Sequence, residues 1–548
     1  MKLLFVLLQA ILVITGASSM DELDETTVER FDFFSAHPLN INAASAAKLV
    51  SSGLFSPYQA ASILEYRSRT GDIVSVAELS AVDGIGKRYA AALGEYIVFD
   101  TARPVGTPGK DSLRISHNLT VRTSCRTDDW KPAGGFKYSV GVGENAGFFW
   151  ATRITRDKRK PDIGTVSAEY FGRHWQFVAG DFGMRLGQGL LVWSGFSMSG
   201  VSSAAALSRN ASGLFASHSY SPVFRGAGAS FSYGEWTGTA AFSWPMAPMV
   251  CVRHRFGCMD IGVNTCYANG VPGVSGDFRV GFNGWSLFGE CAWCGAMAAV
   301  AGFYIVPDYG TEISAQLRYI PSEYASVYAG PVSSTGRKKD EYGISAAFQS
   351  NNMLFTADVS YKPSSAASHF RFLAGKSWHI PIGDSAGFEP SIRTTLRIHP
   401  KDKDKWRGEL RSDLGLNAGN FGLALRCQAL WCTSFAWMTY AEISFKRTIS
   451  AYLRAGLFRI DNWNDRIYCY ERDAPGNFNN QALYGRGWNA SAFVSWKINR
   501  AHSLYLRLSA IEYPWTPGRK GYGEIRFQYA LTLLPHRESR YGADRLKR

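Results

Sequence analysis

The chain has 548 residues, 14% of them aromatic, with 55 glycines and a formal net charge of +14. Its mean hydropathy is balanced at −0.13, and past the first twenty residues no stretch reaches the roughly 20 apolar residues that a membrane-crossing helix needs. That excludes a helical membrane bundle and suits a transmembrane β-barrel, in which lipid-facing and lumen-facing residues alternate so that no segment looks hydrophobic. A soluble sandwich or propeller is the other all-β reading, and no blade-length repeat supports the propeller. The charge is unevenly spread. Residues 21–100 carry 6 Lys and Arg against 12 Asp and Glu, whereas residues 101–548 carry a net +19.

In chain order, residues 1–19 read as an export signal. Lys2 supplies the positive end, Leu3 to Ile14 the apolar core broken only by Gln9, and Ala17-Ser18-Ser19 the small residues for cleavage. The mature chain is expected to begin near Met20, with an acidic leader, Asp21-Glu22-Leu23-Asp24-Glu25.

Residues 20–100 read as short helices. Asn42 and Ser45 both suit an N-cap, with a helix over Ala46 to Leu49 closed by Gly53. Ser56-Pro57 starts the next helix, with Pro where its missing N–H costs nothing. Ala60, Ala61, Ile63, Leu64 and Tyr66 form its buried side. Ser75 to Glu78 has the order of a capping box. Asp83-Gly84-Ile85-Gly86 then reads as a hairpin, and Lys87 to Tyr96 as the closing helix. A Gly-apolar-Gly turn at a helix N-terminus can hold a phosphate through backbone amides and the helix dipole. Gly84, Ile85, Gly86, Lys87 and Arg88 are therefore the candidate nucleic-acid-binding residues.

Several motifs in order carry a resemblance here: Leu39-Asn40-Ile41-Asn42-Ala43-Ala44-Ser45, Ala61 to Arg67, Gly71-Asp72-Ile73, Glu78-Leu79 and Val82-Asp83-Gly84-Ile85-Gly86. The segment resembles the tandem helix-hairpin-helix domain of competence-type DNA receptors. The resemblance implies non-sequence-specific binding of duplex DNA, with hairpin amides on the phosphate backbone. The first hairpin departs from that pattern. It reads Gly53-Leu54-Phe55-Ser56-Pro57, without the Gly-apolar-Gly turn, and Pro57 has no N–H to donate. The module is also acidic, whereas non-specific DNA affinity comes mainly from neutralising phosphates. A helical scaffold that docks a protein is the other reading of the same fold.

After a linker at 101–112, strand signals recur about every ten residues from 113 to 535, on the order of 20 of them. Leu113 to Val121, Phe148 to Ile154, Ile313 to Tyr319, Ser503 to Leu508 and Glu524 to Leu531 alternate, with aromatics at many strand ends. Two regions do not alternate. In the first, Ala179 to Trp193, Gly187-Gln188-Gly189 lacks the lysine and spacing of a phosphate loop, so its glycines are expected to allow a bulge or close packing. The Ser/Ala-rich run that follows, to about Gly226, reads as a lumen plug or an external loop. In the second, Tyr470 to Trp488, Glu471 and Asp473 invite a glycosidase reading but suit salt-bridged loop residues better. Nine cysteines are scattered through the β-part, and Cys291 and Cys294, three apart in a strand, would face opposite ways, against a metal site.

At Gly180-Asp181-Phe182, Arg185 to Leu190, Tyr470-Glu471-Arg472-Asp473 and Gly485-Arg486-Gly487 the chain resembles Gram-negative envelope proteins. In that family an N-terminal helix-hairpin-helix domain is joined to a large outer-membrane barrel. The implied architecture is an all-α module in the periplasm followed by an antiparallel transmembrane β-barrel and a basic tail at 536–548. No catalytic, metal or cofactor constellation stands out, so the expected protein is not an enzyme. Its expected partners are outer-membrane lipid and either duplex DNA or a periplasmic protein that the module docks for transport, secretion or assembly.

Overall fold

The computed structural model describes residues 30–533, apart from 32, 36, 101–114, 144, 158–160, 196–199, 221, 283, 309, 335, 337, 384–385, 401–404, 478 and 500. The export signal, the 101–112 linker and the 536–548 tail lie outside the described residues.

The helical module runs β1 (Leu39–Asn40), α1 (Ala46–Ser51), α2 (Pro57–Thr70), α3 (Val76–Leu79), α4 (Gly86–Leu93) and β2 (Ile97–Val98). β1 and β2 pair in parallel and tie its ends together. The Ser45 hydroxyl accepts from Lys48 N and caps α1. Ser56 and Gln59 cap α2 reciprocally, with Pro57 in its first turn. Asn42 is not a cap. Its side chain is buried, accepts from Ile73 N at 2.9 Å and donates to Ile73 O at 2.9 Å, pinning the loop before α3 to the start of the module. Leu49, Ile63, Ile73, Leu79, Leu93 and Tyr96 close one core that the module holds by itself.

From Ile115–Arg126 to Tyr522–Leu533, 24 antiparallel strands close into a barrel, the first pairing with the last at His117↔Leu533. The sequence-based figure of roughly 20 falls short for a packing reason. Segments such as Phe224–Tyr233 and Ala296–Asp308 carry small or apolar residues on both faces, so the period-2 signal fades. Elsewhere alternation is clean. Val250, Phe278, Leu317, Ile344, Leu410, Leu453 and Phe527 are exposed on the outer face, while Arg318, Asp358, Glu442 and Arg454 are buried inside.

The even strand number puts both described ends of the barrel sequence at one rim. Most turns at that rim are two or three residues long, whereas residues 186–223, 321–340 and 461–484 all leave from the other. A ring of 24 strands encloses a lumen its own side chains cannot fill. The three long segments fold into it from one rim, and the helical module enters from the other.

Candidate functional site: the plugged lumen

The hairpin turn is built as the sequence requires. Gly84 and Gly86 adopt φ of +75° and +70°, which favours glycine. A Cβ on Gly84 would stand 2.7 Å from the Tyr58 ring, so this glycine is also demanded by packing. The Tyr58 hydroxyl bonds the Asp83 carboxylate, and Gln59 Nε2 donates to Gly84 O at 2.8 Å. Burial and the neighbouring Asp83 push the Tyr58 phenol up to about 12. The five candidate residues divide here. Ile85 turns its side chain into the core and donates its N–H to Val82 O. Gly84, Gly86 and Lys87 share one exposed turn, with open space in front of Gly86 and no side-chain cap on α4. Arg88 follows in the first turn of α4.

The module is seated on the barrel. His37 Nε2 pairs with the Ser139 hydroxyl at 2.9 Å, and its Nδ1 lies 3.3 Å from Ser116 Oγ. The Phe33 ring stacks on His218 at 3.9 Å, Arg30 lies over Phe215, and Lys48 faces Phe171. Tyr58 reaches to 3.9 Å of the position a Cβ on Gly281 would take, and Glu95 lies within electrostatic reach of Lys497. These contacts run round about half of the ring. The module is thus the stopper of one mouth.

Over the arc from Trp175 to Lys362 most inward side chains are buried. The Gly187-Gln188-Gly189 turn wraps the carboxylate of Glu290, which accepts from Gln188 N at 2.7 Å and Leu190 N at 3.0 Å. The turn that looked like a failed phosphate loop therefore holds an anion from its own wall. Gly180, at φ +90°, brings its backbone against Val166 O, and the buried Asp181 accepts from Val166 N and from Arg225 Nε at 2.8 and 2.7 Å. The first two long segments also hold each other. The Tyr324 hydroxyl donates to Leu190 O at 2.8 Å, and Ser326 Oγ donates to Leu191 O at 2.7 Å. Leu186, Leu190, Leu191 and Val192 are buried in the resulting core. Of the two expectations for this run, lumen plug is the outcome. Behind it Arg318, fully buried, donates to Glu341 at 2.6 Å and Asp358 at 2.7 Å.

The third segment, 461–484, lies across the remaining lumen. Glu471 is ion-paired with Arg507, and Asp473 with Arg526 at 2.6 Å. Both carboxylates are spent on holding the segment to the wall, as expected of salt-bridged residues. Arg472 pairs with Glu442 at 2.8 Å. Cys291 is exposed and Cys294 buried on opposite faces of one strand. Among the described residues no group of three or more His, Cys, Asp or Glu could hold a metal ion.

Between Ala367 and Trp431 many inward side chains stay partly exposed, while Leu373, Thr395, Gln428 and Leu430 are buried. Ile392 and Leu396 point outward, so Arg393, Thr395 and Arg397 alternate inward. Register then sets three arginines opposite one another in one row, Arg371↔Arg397↔Arg407, on three neighbouring strands. Arg407 donates to Asn464 O at 2.6 Å and Arg466 O at 3.0 Å. Like charges directly opposite in a sheet are unfavourable. Glu409 lies within electrostatic reach of Arg397, and the Arg371 side chain reaches Gly200 of the first in-folded segment. Sequence reading missed these arginines. Alternation placed them on one face, but the alignment of separate strands is not written in any one of them.

A helix-hairpin-helix motif family model matches residues 35–98, the module just described. No curated protein matches the chain. Among solved structures from Pseudomonas aeruginosa, OccK11 (OpdR) aligns at 8% identity and a TM-score of 0.33, over 77% of this chain and 96% of that one. OpdQ aligns at 7% and 0.32, over 77% and 99%. The outer membrane protein OpdK aligns at 7% and 0.32, over 76% and 98%.

Proposed function

We propose that the chain is an outer-membrane barrel that passes small anionic solutes along the partly open arc between Ala367 and Trp431, with the helix-hairpin-helix module as its stopper on the periplasmic side. The outward apolar and aromatic residues suit lipid contact, and the rim of short turns is the one expected to face the periplasm. The observation that carries the anionic route is the Arg371–Arg397–Arg407 row. Rows of one sign draw counter-ions into a confined path and raise their local concentration.

The reading is tested in planar bilayers by the reversal potential under a salt gradient. Anion preference is expected in the native protein. Arg397→Gln should lower the anion-to-cation permeability ratio by roughly two- to fivefold, the scale of about 0.5–1 kcal/mol for one partly exposed charge. Cation preference, or none, overturns the route.

A second reading is favoured by the exposed turn at Gly84, Gly86 and Lys87, whose helix N-terminus has no side-chain cap. It is a contact for the phosphates of duplex DNA. With Ile85 N–H engaged, the donors are the Gly84 and Gly86 amides, with Lys87 and Arg88 supplying charge. Fluorescence anisotropy of labelled duplex with the full chain should show salt-sensitive binding, and Lys87→Ala should reduce the salt slope by about one. Absence of binding at low salt retires this reading and leaves the turn as a contact for a periplasmic protein.

A further inference from the structure

Where the last strand, Tyr522–Leu533, meets the first, Ile115–Arg126, a cavity of about 310 Å³ lies under the 461–484 segment. Five guanidinium groups line it, from Arg122, Arg153, Arg156, Arg507 and Arg526, beside the single carboxylate of Asp473. Two further carboxylates stand behind them. Glu524 is shared by Arg156 at 2.5 Å, Arg526 at 2.9 Å and Arg507 at 3.4 Å, and Glu471 pairs with Arg507. Three carboxylates against five guanidinium groups leave two positive charges unanswered.

Those charges belong to Arg122 and Arg153. Arg122 donates to the neutral Asn477 Oδ1 and lies over the Tyr220 ring at 4.5 Å. Arg153 faces the same ring from 5.9 Å. Neither has a carboxylate partner among the described residues. In addition, Arg507 is 3% exposed, and its Nε–H lacks a hydrogen-bond partner. A buried donor of this kind asks for an acceptor. Phe493, Tyr505 and Ala474 add an apolar part to a wall that also carries Thr123, Ser124, Thr155, Asn477 and Gln528.

We propose that this cavity is a binding site for a small organic anion with two acidic oxygen groups on a compact carbon body. The volume lies at the lower end of the range for ligand pockets, which limits the size of the body. Guanidinium forks match carboxylate or phosphate oxygens two at a time, so the charge excess and the donor geometry ask for the same chemistry. The site is separate from the Arg371 row and does not depend on conduction.

Calorimetric titration of the full chain in detergent at low chloride tests it, with succinate and inorganic phosphate as probes and succinamide as the neutral control. Saturable binding of at least one anion, weakened by salt and absent for succinamide, is expected. Arg153→Gln, which breaks no ion pair in the wall, and Arg122→Gln should each weaken binding about tenfold. Arg69→Gln, on the outer surface of the module, should leave it unchanged. Failure of both anions to bind, or native affinity in both cavity variants, overturns the site. Binding without anion preference in the bilayer would keep the site and remove the route; the reverse would remove only the site.

Discussion

Replacing Glu290 with alanine is expected to release the first in-folded segment from the wall and raise the conductance of the barrel. The carboxylate is 2% exposed and accepts from two backbone amides in the Gly187-Gln188-Gly189 turn. Removing it leaves two buried N–H groups unpaired, at about 1–3 kcal/mol each. The local cost is then roughly 2–6 kcal/mol, the sum over those two groups. Glu290→Gln keeps one oxygen acceptor and should fall between the native protein and alanine. Gly187→Ala should reproduce the effect from the other side, because its Cβ would meet the Glu290 carboxyl at 2.7 Å and its φ is +53°. Limited proteolysis of 186–223 and single-channel conductance read the release. Alanine behaving like the native chain in both would mean that the buried Leu186, Leu190, Leu191 and Val192 hold the segment alone. The carboxylate would then be only a satisfied core group.

The helical module was largely legible because its signals are local. Caps at Ser45 and Ser56, Pro57 in a first turn and glycines at 84 and 86 act within a few residues of where they stand. Asn42 was misread because its partner, Ile73, is 31 residues away. The barrel class was legible from alternation, and its strand number was not. Wherever an in-folded segment packs on the wall, inward positions such as Ala298 and Val300 become apolar and imitate the outer face. The site was the least legible. Arg371, Arg397 and Arg407 form a row only through the pairing of three strands, and the pairs Glu471–Arg507 and Asp473–Arg526 close over 36 and 53 residues. That the module stops the barrel rather than hanging from it rests on Arg30, His37 and Lys48 meeting residues far along the chain.

Acidification is expected to unseat that stopper. Burial holds the His37 imidazole down at about 4. Burial, and then the charges of Arg30, His37 and Lys137, hold His218 at about 3. Both rings are neutral when the module is seated, while a released histidine titrates near its ordinary value of about 6.5. A base depressed in the seated state contributes in full above about pH 6.5, and its contribution is lost as pH falls from there toward 4. For His37 alone the depression corresponds to roughly 3 kcal/mol by pH 4. The surroundings offer a new cation little relief. Arg30, Lys48 and Lys137 are already there, and the Glu169 carboxylate lies within reach of both Arg30 and Lys48. Limited proteolysis of residues 39–98 at matched protease activity should therefore show constant protection from pH 8 to 6.5 and a steep loss between 6.5 and 4. A His37→Asn/His218→Asn chain should be less protected at neutral pH, because the ring contacts with Phe33 and Ser139 are gone, but nearly flat across the acidic range. Protection in the native chain that holds at pH 4 would mean that the two rings are not what keeps the module in the mouth.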